Sequence, residues 1–144
     1  MGKVKAISVS ERKGEKKHNI PEAKVIESVG IEGDAHAEGG GRQVSLLMEE
    51  SIDRIKKEGL SVTFGDFAEN IVTSGADLRN IRLGDTIRIG DDCVLRVTKI
   101  GKECHAPCII GRTIGYCIMP DEGVFCAVTS SGLIRVGDSV VISS

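Results

Sequence analysis

Cysteine, histidine and arginine converge once in this chain, in the stretch GKECHAPCIIGR at residues 101–112. It holds Cys104, His105 and Cys108, two of the five cysteines and one of the three histidines. Three chemistries compete for such a stretch. As a metal site, Cys104, His105 and Cys108 supply three ligands, and Cys117 or Cys126 would have to complete a zinc tetrahedron. The cysteine spacing is one residue wider than C-x-x-C, and no second ligand pair is visible, so the pattern of a structural zinc site is largely missing. As a reactive thiol, Cys108 has the better surroundings. Pro107 fixes its own φ and biases Ala106 towards extended backbone, while Lys102, His105 and Arg112 bring positive charge or donors that favour thiolate over thiol. The third reading makes both cysteines small apolar fillers. Cys93 in DDCVLRV and Cys126 in GVFCAV, both strand-like runs, fit that role best.

Two further constellations carry polar groups. GIEGDAHAEGGGR places Asp34 and His36 beside a glycine turn, with Arg42 after a run of three glycines at 39–41. Backbone N–H groups there suit a phosphate or an anionic cofactor, with Arg42 as its charged partner. The run itself is expected to be mobile, because consecutive glycines have no side chains to pack. FGDFAENIVTSG groups Asp66, Glu69 and Asn70 near Phe64 and Phe67. It reads either as a loop anchored by two aromatics, with Asn70 making turn hydrogen bonds, or as the rim of a pocket.

The elements that must position these residues are mostly strands. KVKAISVS opens the chain as a first strand, and the charged ERKGEKKHNIPEA reads as a solvated loop ending near Pro21. AKVIESVGIEGDAH gives a second strand and a turn, and RQVSLL a third. One helix is expected over MEESIDRIKKEG: Met48, Ile52 and Ile55 share a face, acids lead, lysines trail, and Gly59 stops it. IRLGDTIRIGDDCVLRVTKIG and GVFCAVTSSGLIRVGDSVVISS then alternate apolar and polar residues around Gly-Asp turns. LGDTIRI at 83–89 is echoed by VGDSVVI at 136–142, which reads as two equivalent strand starts in a barrel. The expected fold is mainly β, a closed barrel with a few short helices, and the expected organisation is a single domain over residues 1–144.

Composition narrows the function. The chain has 144 residues, 40% hydrophobic and 3% aromatic, without tryptophan. A net charge of -2 and the lack of a long basic run argue against nucleic-acid and membrane-surface roles. No apolar run is long enough to span a bilayer, and the first residues lack a signal-peptide core, so a cytoplasmic protein with reduced cysteines is expected. The strand-rich composition permits a homodimer.

Taken together, GIEGDAHA, GRQVSLL, FGDFAENIVTSG, IRLGDTIRIG, the cysteine loop and GVFCAVTSSGLIRVGD closely resemble the MOSC domain. This family is named for the C-terminal part of molybdenum cofactor sulfurase, and the chain looks like its small, stand-alone prokaryotic type. The resemblance runs from about Val25 to Val141. It implies a mainly β barrel and one of two activities. Some members are proposed to accept sulfur as a cysteine persulfide from pyridoxal-phosphate-dependent cysteine desulfurases and to pass it to molybdenum-cofactor enzymes or biosynthesis proteins. Others bind the molybdenum cofactor, with a cysteine thiolate on the metal, and reduce N-hydroxylated compounds.

In both roles the resemblance assigns the key cysteine to Cys108, as sulfur carrier or as molybdenum ligand. It carries cofactor-binding positions onto His36, Arg42 and Asn70, and Arg112 of the cysteine loop is a further candidate. The larger reductases carry an additional N-terminal barrel domain, for which this chain is too short. That departure counts against full reductase activity by this chain alone, and the expectation is a sulfur transferase or a component of a molybdenum-cofactor-dependent reductase. A non-catalytic barrel holding zinc on Cys104, His105 and Cys108 is the alternative from a different class.

Overall fold

Alternating apolar residues along the strand-like runs turn to one shared interior. The computed structural model describes residues 2–10, 18–34, 43–57, 59, 64, 69–100 and 123–143. Among these the chain order is β1 (Gly2–Val9), β2 (His18–Ile20), β3 (Glu22–Ile26), β4 (Gly30–Ile31), β5 (Val44–Met48), α1 (Glu49–Lys57), β6 (Ile71–Ser74), β7 (Thr86–Ile89), β8 (Cys93–Ile100), β9 (Val124–Ser130), β10 (Gly132–Arg135) and β11 (Ser139–Ser143). Seven strands close a ring in the order β11-β7-β8-β9-β5-β6-β1 and back to β11. The start of β1 meets β11, while its far end, Ile7 to Val9, takes β2 as a short outer neighbour. A separate sheet, β10-β3-β4, packs against the barrel, and its Ala23, Val25, Ile31 and Ile134 join the same core.

A closed ring of seven strands cannot alternate direction all the way round. One neighbouring pair must be parallel, and it is β5–β6, with Leu46 opposite Ile71. A parallel pair needs a crossover, normally helical, and α1 lies in that connection. Its Glu49 and Glu50 stand at the positive end of the helix dipole and Arg54, Lys56 and Lys57 at the negative end. Gly59, at φ +94°, ends it by donating its N–H to the Lys56 carbonyl at 3.0 Å. Ile52 and Ile55 are buried against β5 and β6, beside Leu47 and Val72, which are buried outside the barrel's own core. Met48, expected on the helix face, is buried as the last residue of β5.

The sequence echo is structural. In Arg82-Leu83-Gly84-Asp85 the Asp85 carboxylate accepts the Arg82 N–H at 2.8 Å, and in Arg135-Val136-Gly137-Asp138 the Asp138 carboxylate accepts that of Arg135, also at 2.8 Å. Gly84 at φ +88° donates to the Val97 carbonyl, and Gly137 at φ +99° donates to the Val4 carbonyl. The strands that follow, β7 and β11, pair with each other antiparallel about the Arg88–Val141 pair.

The correspondence continues around the barrel. Val4 faces Thr73 on β6 and Val97 faces Cys126 on β9. Each is followed by a one-residue irregularity, at Lys5 and at Thr98, and then by Ile7 facing Ile71 and Ile100 facing Val124. Leu46 of β5 pairs with both Ile71 and Val124. The barrel therefore has an approximate internal twofold axis running through its wall at Leu46 and out at the Arg88–Val141 pair.

The charged stretch before Pro21 departs from expectation. His18 to Ile20 form β2 rather than loop, because Ile7, Ser8 and Val9 leave an edge open beyond the two residues that β11 covers. The expected mobility of the glycine run at 39–41 falls outside the described residues.

Candidate functional site

Polar side chains are buried where β1, β5 and β6 meet. A polar group inside a fold is tolerated when it is hydrogen-bonded, and the bonds here are extensive. Asn70, 1% exposed, stands immediately before β6. Its Oδ1 accepts the Ser45 N–H at 3.0 Å and the Ser45 hydroxyl at 3.2 Å, and its Nδ2 donates to the Ser8 carbonyl at 3.1 Å. Its backbone joins the same three strands: Asn70 N–H donates to the Ser45 carbonyl, and Ser8 N–H donates to the Asn70 carbonyl at 2.7 Å. One amide thus fastens β1, β5 and β6 at the point where the crossover re-enters the sheet.

The fastening continues on both sides. Asp34 accepts the Ser10 N–H at 3.1 Å, tying the turn after β4 to the end of β1. Gln43 donates its N–H to the Cys126 carbonyl at 3.1 Å, and its Oε1 accepts the Val128 N–H at 2.9 Å. Glu69, beside Asn70, is fully buried. Ser10, Asp34, Gln43 and Glu69 are the residues that flank segments 11–17, 35–42 and 65–68. The roots of segment 101–122 are Ile100 and Gly123, and Val124 beside them faces Leu46, the residue that also faces Ile71. Gln43, Glu69 and Gly123 thus stand within a few residues of Leu46 or its partners Ile71 and Val124, while Asp34 follows β4 of the separate sheet and is tied in through Ser10.

Of the residues expected to form the site, Asn70 is the one placed here. Cys108, His36, Arg42 and Arg112 lie outside the described residues, as do Cys104, His105 and Cys117 of the zinc alternative. Phe67 also lies outside, while Phe64 carries the Lys56 ammonium 5.6 Å from its ring centroid. Among the described residues no group of three His, Cys, Asp or Glu side chains could hold a metal ion. Cys93 and Cys126 lie inside the barrel, buried and unpaired as free thiols. Burial pushes both thiols from an ordinary 9.0 up to about 12, and for Cys126 the neighbouring Cys93 adds to it. Neither is a nucleophile at neutral pH.

Ser8 and Ser45 were not anticipated as partners of Asn70. The available signal was modest: Ser45 interrupts the apolar run VSLLM, and a small polar residue within such a strand must find a partner.

The MOSC domain model matches residues 33–141, more than half of the chain, and the chain belongs to the MOSC domain family. Its fold is shared with solved structures. YuaD from Bacillus subtilis superposes with a TM-score of 0.81 at 19% identity, covering 100% of this chain and 97% of that one. YiiM from Geobacillus stearothermophilus gives 0.73 at 17% identity, covering 100% and 76%, and YiiM from Escherichia coli gives 0.69 at 19%, covering 99% and 70%. At these identities the likeness speaks for the fold alone. No match is found among curated proteins.

Proposed function

We propose that this MOSC protein handles sulfur for the molybdenum cofactor, with Cys108 as the thiol that carries a persulfide or ligates molybdenum. The observation that carries the reading is the burial of Cys93 and Cys126, which removes them as thiolates at neutral pH. A sulfur-handling cysteine then falls among Cys104, Cys108 and Cys117. Cys108 is favoured there by Pro107 and by the charges of Lys102, His105 and Arg112. Family membership over residues 33–141, which include this whole segment, supports the same choice.

The cofactor asks for a soft ligand and for donors to its phosphate. The described thiols do not fit, being protonated and enclosed, and the Asn70 amide is engaged with Ser8 and Ser45. In this reading Cys108 is the metal ligand and His36, Arg42 and Arg112 bind the anion, while Asn70 fastens β5, the strand that follows the segment of His36 and Arg42. In the carrier role the Cys108 thiolate attacks the terminal sulfur of a persulfide on a cysteine desulfurase. A new S–S bond forms, the donor cysteine leaves as thiolate, and no external oxidant is needed. The partners are then a pyridoxal-phosphate-dependent desulfurase and a molybdenum-cofactor enzyme or biosynthesis protein, in the cytoplasm.

The test is persulfide transfer from a cysteine desulfurase followed by peptide mass mapping. Sulfane sulfur on Cys108, and none on a Cys108→Ser variant, is the expected result. Labelling of Cys104 or Cys117 first, with the Cys108→Ser protein still accepting sulfur, would overturn the assignment.

A further inference from the structure

The outer wall of the barrel carries a charge pattern that folding does not explain. On β7 and the facing part of β8 the inward residues are buried, and the outward ones are Thr86, Arg88, Val94 and Arg96. Thr86 faces Arg96 and Arg88 faces Val94. The four residues therefore make one square, with the arginines at opposite corners, about 7–8 Å apart on the diagonal. Both arginines are exposed. Neither makes an ion pair or a side-chain hydrogen bond among the described residues.

The surroundings do not neutralise them. The strands β11, β7, β8 and β9 are neighbours in the sheet, and none of the four contains an acidic residue. Like charges set close together on one sheet face oppose folding, so this pair costs the barrel stability and returns no contact within it. The chain as a whole carries a net charge of -2, so the two arginines are not a sample of a generally basic surface.

We infer that Arg88 and Arg96 are a docking point for an acidic segment of a partner protein, an extended run with carboxylates two residues apart. Side chains on one face of an extended segment repeat about every 7 Å, which matches the diagonal between the arginines. Each guanidinium takes one carboxylate in a two-pronged geometry that lysine lacks. The acids near the square limit the length of the partner's charge. Asp85 precedes β7, and Asp91 and Asp92 fill the turn between β7 and β8. A long polyanion, such as a nucleic-acid backbone, would run over them, whereas two carboxylates fit between. Arg88 stands where the approximate twofold leaves the wall, across the barrel from Leu46, so this docking point is independent of the sulfur chemistry proposed for Cys108.

The test is a titration of isotope-labelled full-length protein with acetyl-Glu-Ser-Glu-amide at low salt, read from backbone amide shifts. The largest shifts are expected in β7 and β8 around Arg88 and Arg96, and added salt should weaken them. Arg88→Gln and Arg96→Gln should each weaken binding roughly threefold, as expected for exposed charge pairs. The Arg88→Lys/Arg96→Lys protein should also bind more weakly, because it keeps the charge and loses the fork. Neither glutamine variant should have a lower denaturant midpoint. No shift at Arg88 and Arg96 at millimolar peptide, or an equal response to acetyl-Lys-Ser-Lys-amide, would overturn the proposal. So would a lower midpoint in the glutamine variants, which would give the arginines a structural role. Tighter arginine-dependent binding of oligothymidylate or of phosphatidylserine vesicles would overturn it too, in favour of a nucleic acid or a membrane.

Discussion

Asn70 illustrates how much one side chain can hold. Replacing it with alanine strands the Ser45 N–H and the Ser8 carbonyl, both buried, and each unsatisfied group costs about 1–3 kcal/mol. Asn70→Ala should therefore lower stability by about 3 kcal/mol, seen as a lower denaturant midpoint with an unchanged slope. Thr73 is the opposite case. Its hydroxyl is buried with no hydrogen-bond partner among the described residues, at the position whose twofold counterpart is Cys126. Thr73→Val should stabilise by about 1 kcal/mol, since it removes a desolvated group and keeps the shape. The buried thiols make a pH prediction. Folding raises both pKa values to about 12, so the folded state keeps protons that the unfolded state releases above about 9. Their contribution is complete below pH 9 and is lost as pH rises towards 12. A Cys93→Ala/Cys126→Ala variant should show a shallower alkaline loss of stability in denaturant titrations at several pH values. Iodoacetamide at pH 8 should label neither cysteine until the protein is unfolded.

Among the elements, the two Arg-x-Gly-Asp turns are the clearest instance of the chain solving one problem twice. Gly84 and Gly137 have φ of +88° and +99°, and a Cβ on either would meet nothing within 4 Å. Alanine there costs conformational strain alone, about 1–2 kcal/mol for left-handed backbone. Gly84→Ala and Gly137→Ala should therefore lose equal stability, and chemical denaturation of the two variants checks it. A large difference would mean the turns are not equivalent in the folded protein. Gly2 is the contrast, because its Cβ would lie 2.6 Å from the Ala76 backbone nitrogen. Its substitution is limited by space rather than by φ. α1 has a topological duty besides packing, since an odd ring requires one parallel pair and that pair requires a crossover.

At the scale of the whole molecule, the approximate twofold sets what opens last. Leu46 sits between Ile71 and Val124, all three fully buried, while β2 and β4 are short strands at sheet margins. Native-state hydrogen exchange should find the slowest amides in β5, β6 and β9 around Leu46. Val4 and Val97, which make the same bonds to the two turns, should exchange at comparable rates, and β2 and β4 should exchange fastest. Slow exchange in β2, or a wide gap between Val4 and Val97, would contradict this. Of the three middle strands, β5 follows the segment that holds His36 and Arg42, and β9 follows the segment that holds Cys108.

Much of this was legible from residue order. Two-residue alternation gave the strands, because a strand must present one face to the core, and the spacing of Ile52 and Ile55 gave the helix. The repeated Gly-Asp turns gave two equivalent strand starts, because a left-handed glycine and a capping aspartate act within four residues. The burial of Cys93 and Cys126 followed from their apolar strand neighbours. Local patterns cannot count the strands in a ring, so they did not show that closure needs seven strands and hence one parallel pair. They also did not reveal β2, whose pairing depends on an edge of β1 left free by the distant β11. Nor did they find the clamp of Asn70 on Ser8 and Ser45, residues 62 and 25 positions away. Contacts between residues so far apart in sequence exist only after the chain has closed on itself, and tertiary structure alone decided them.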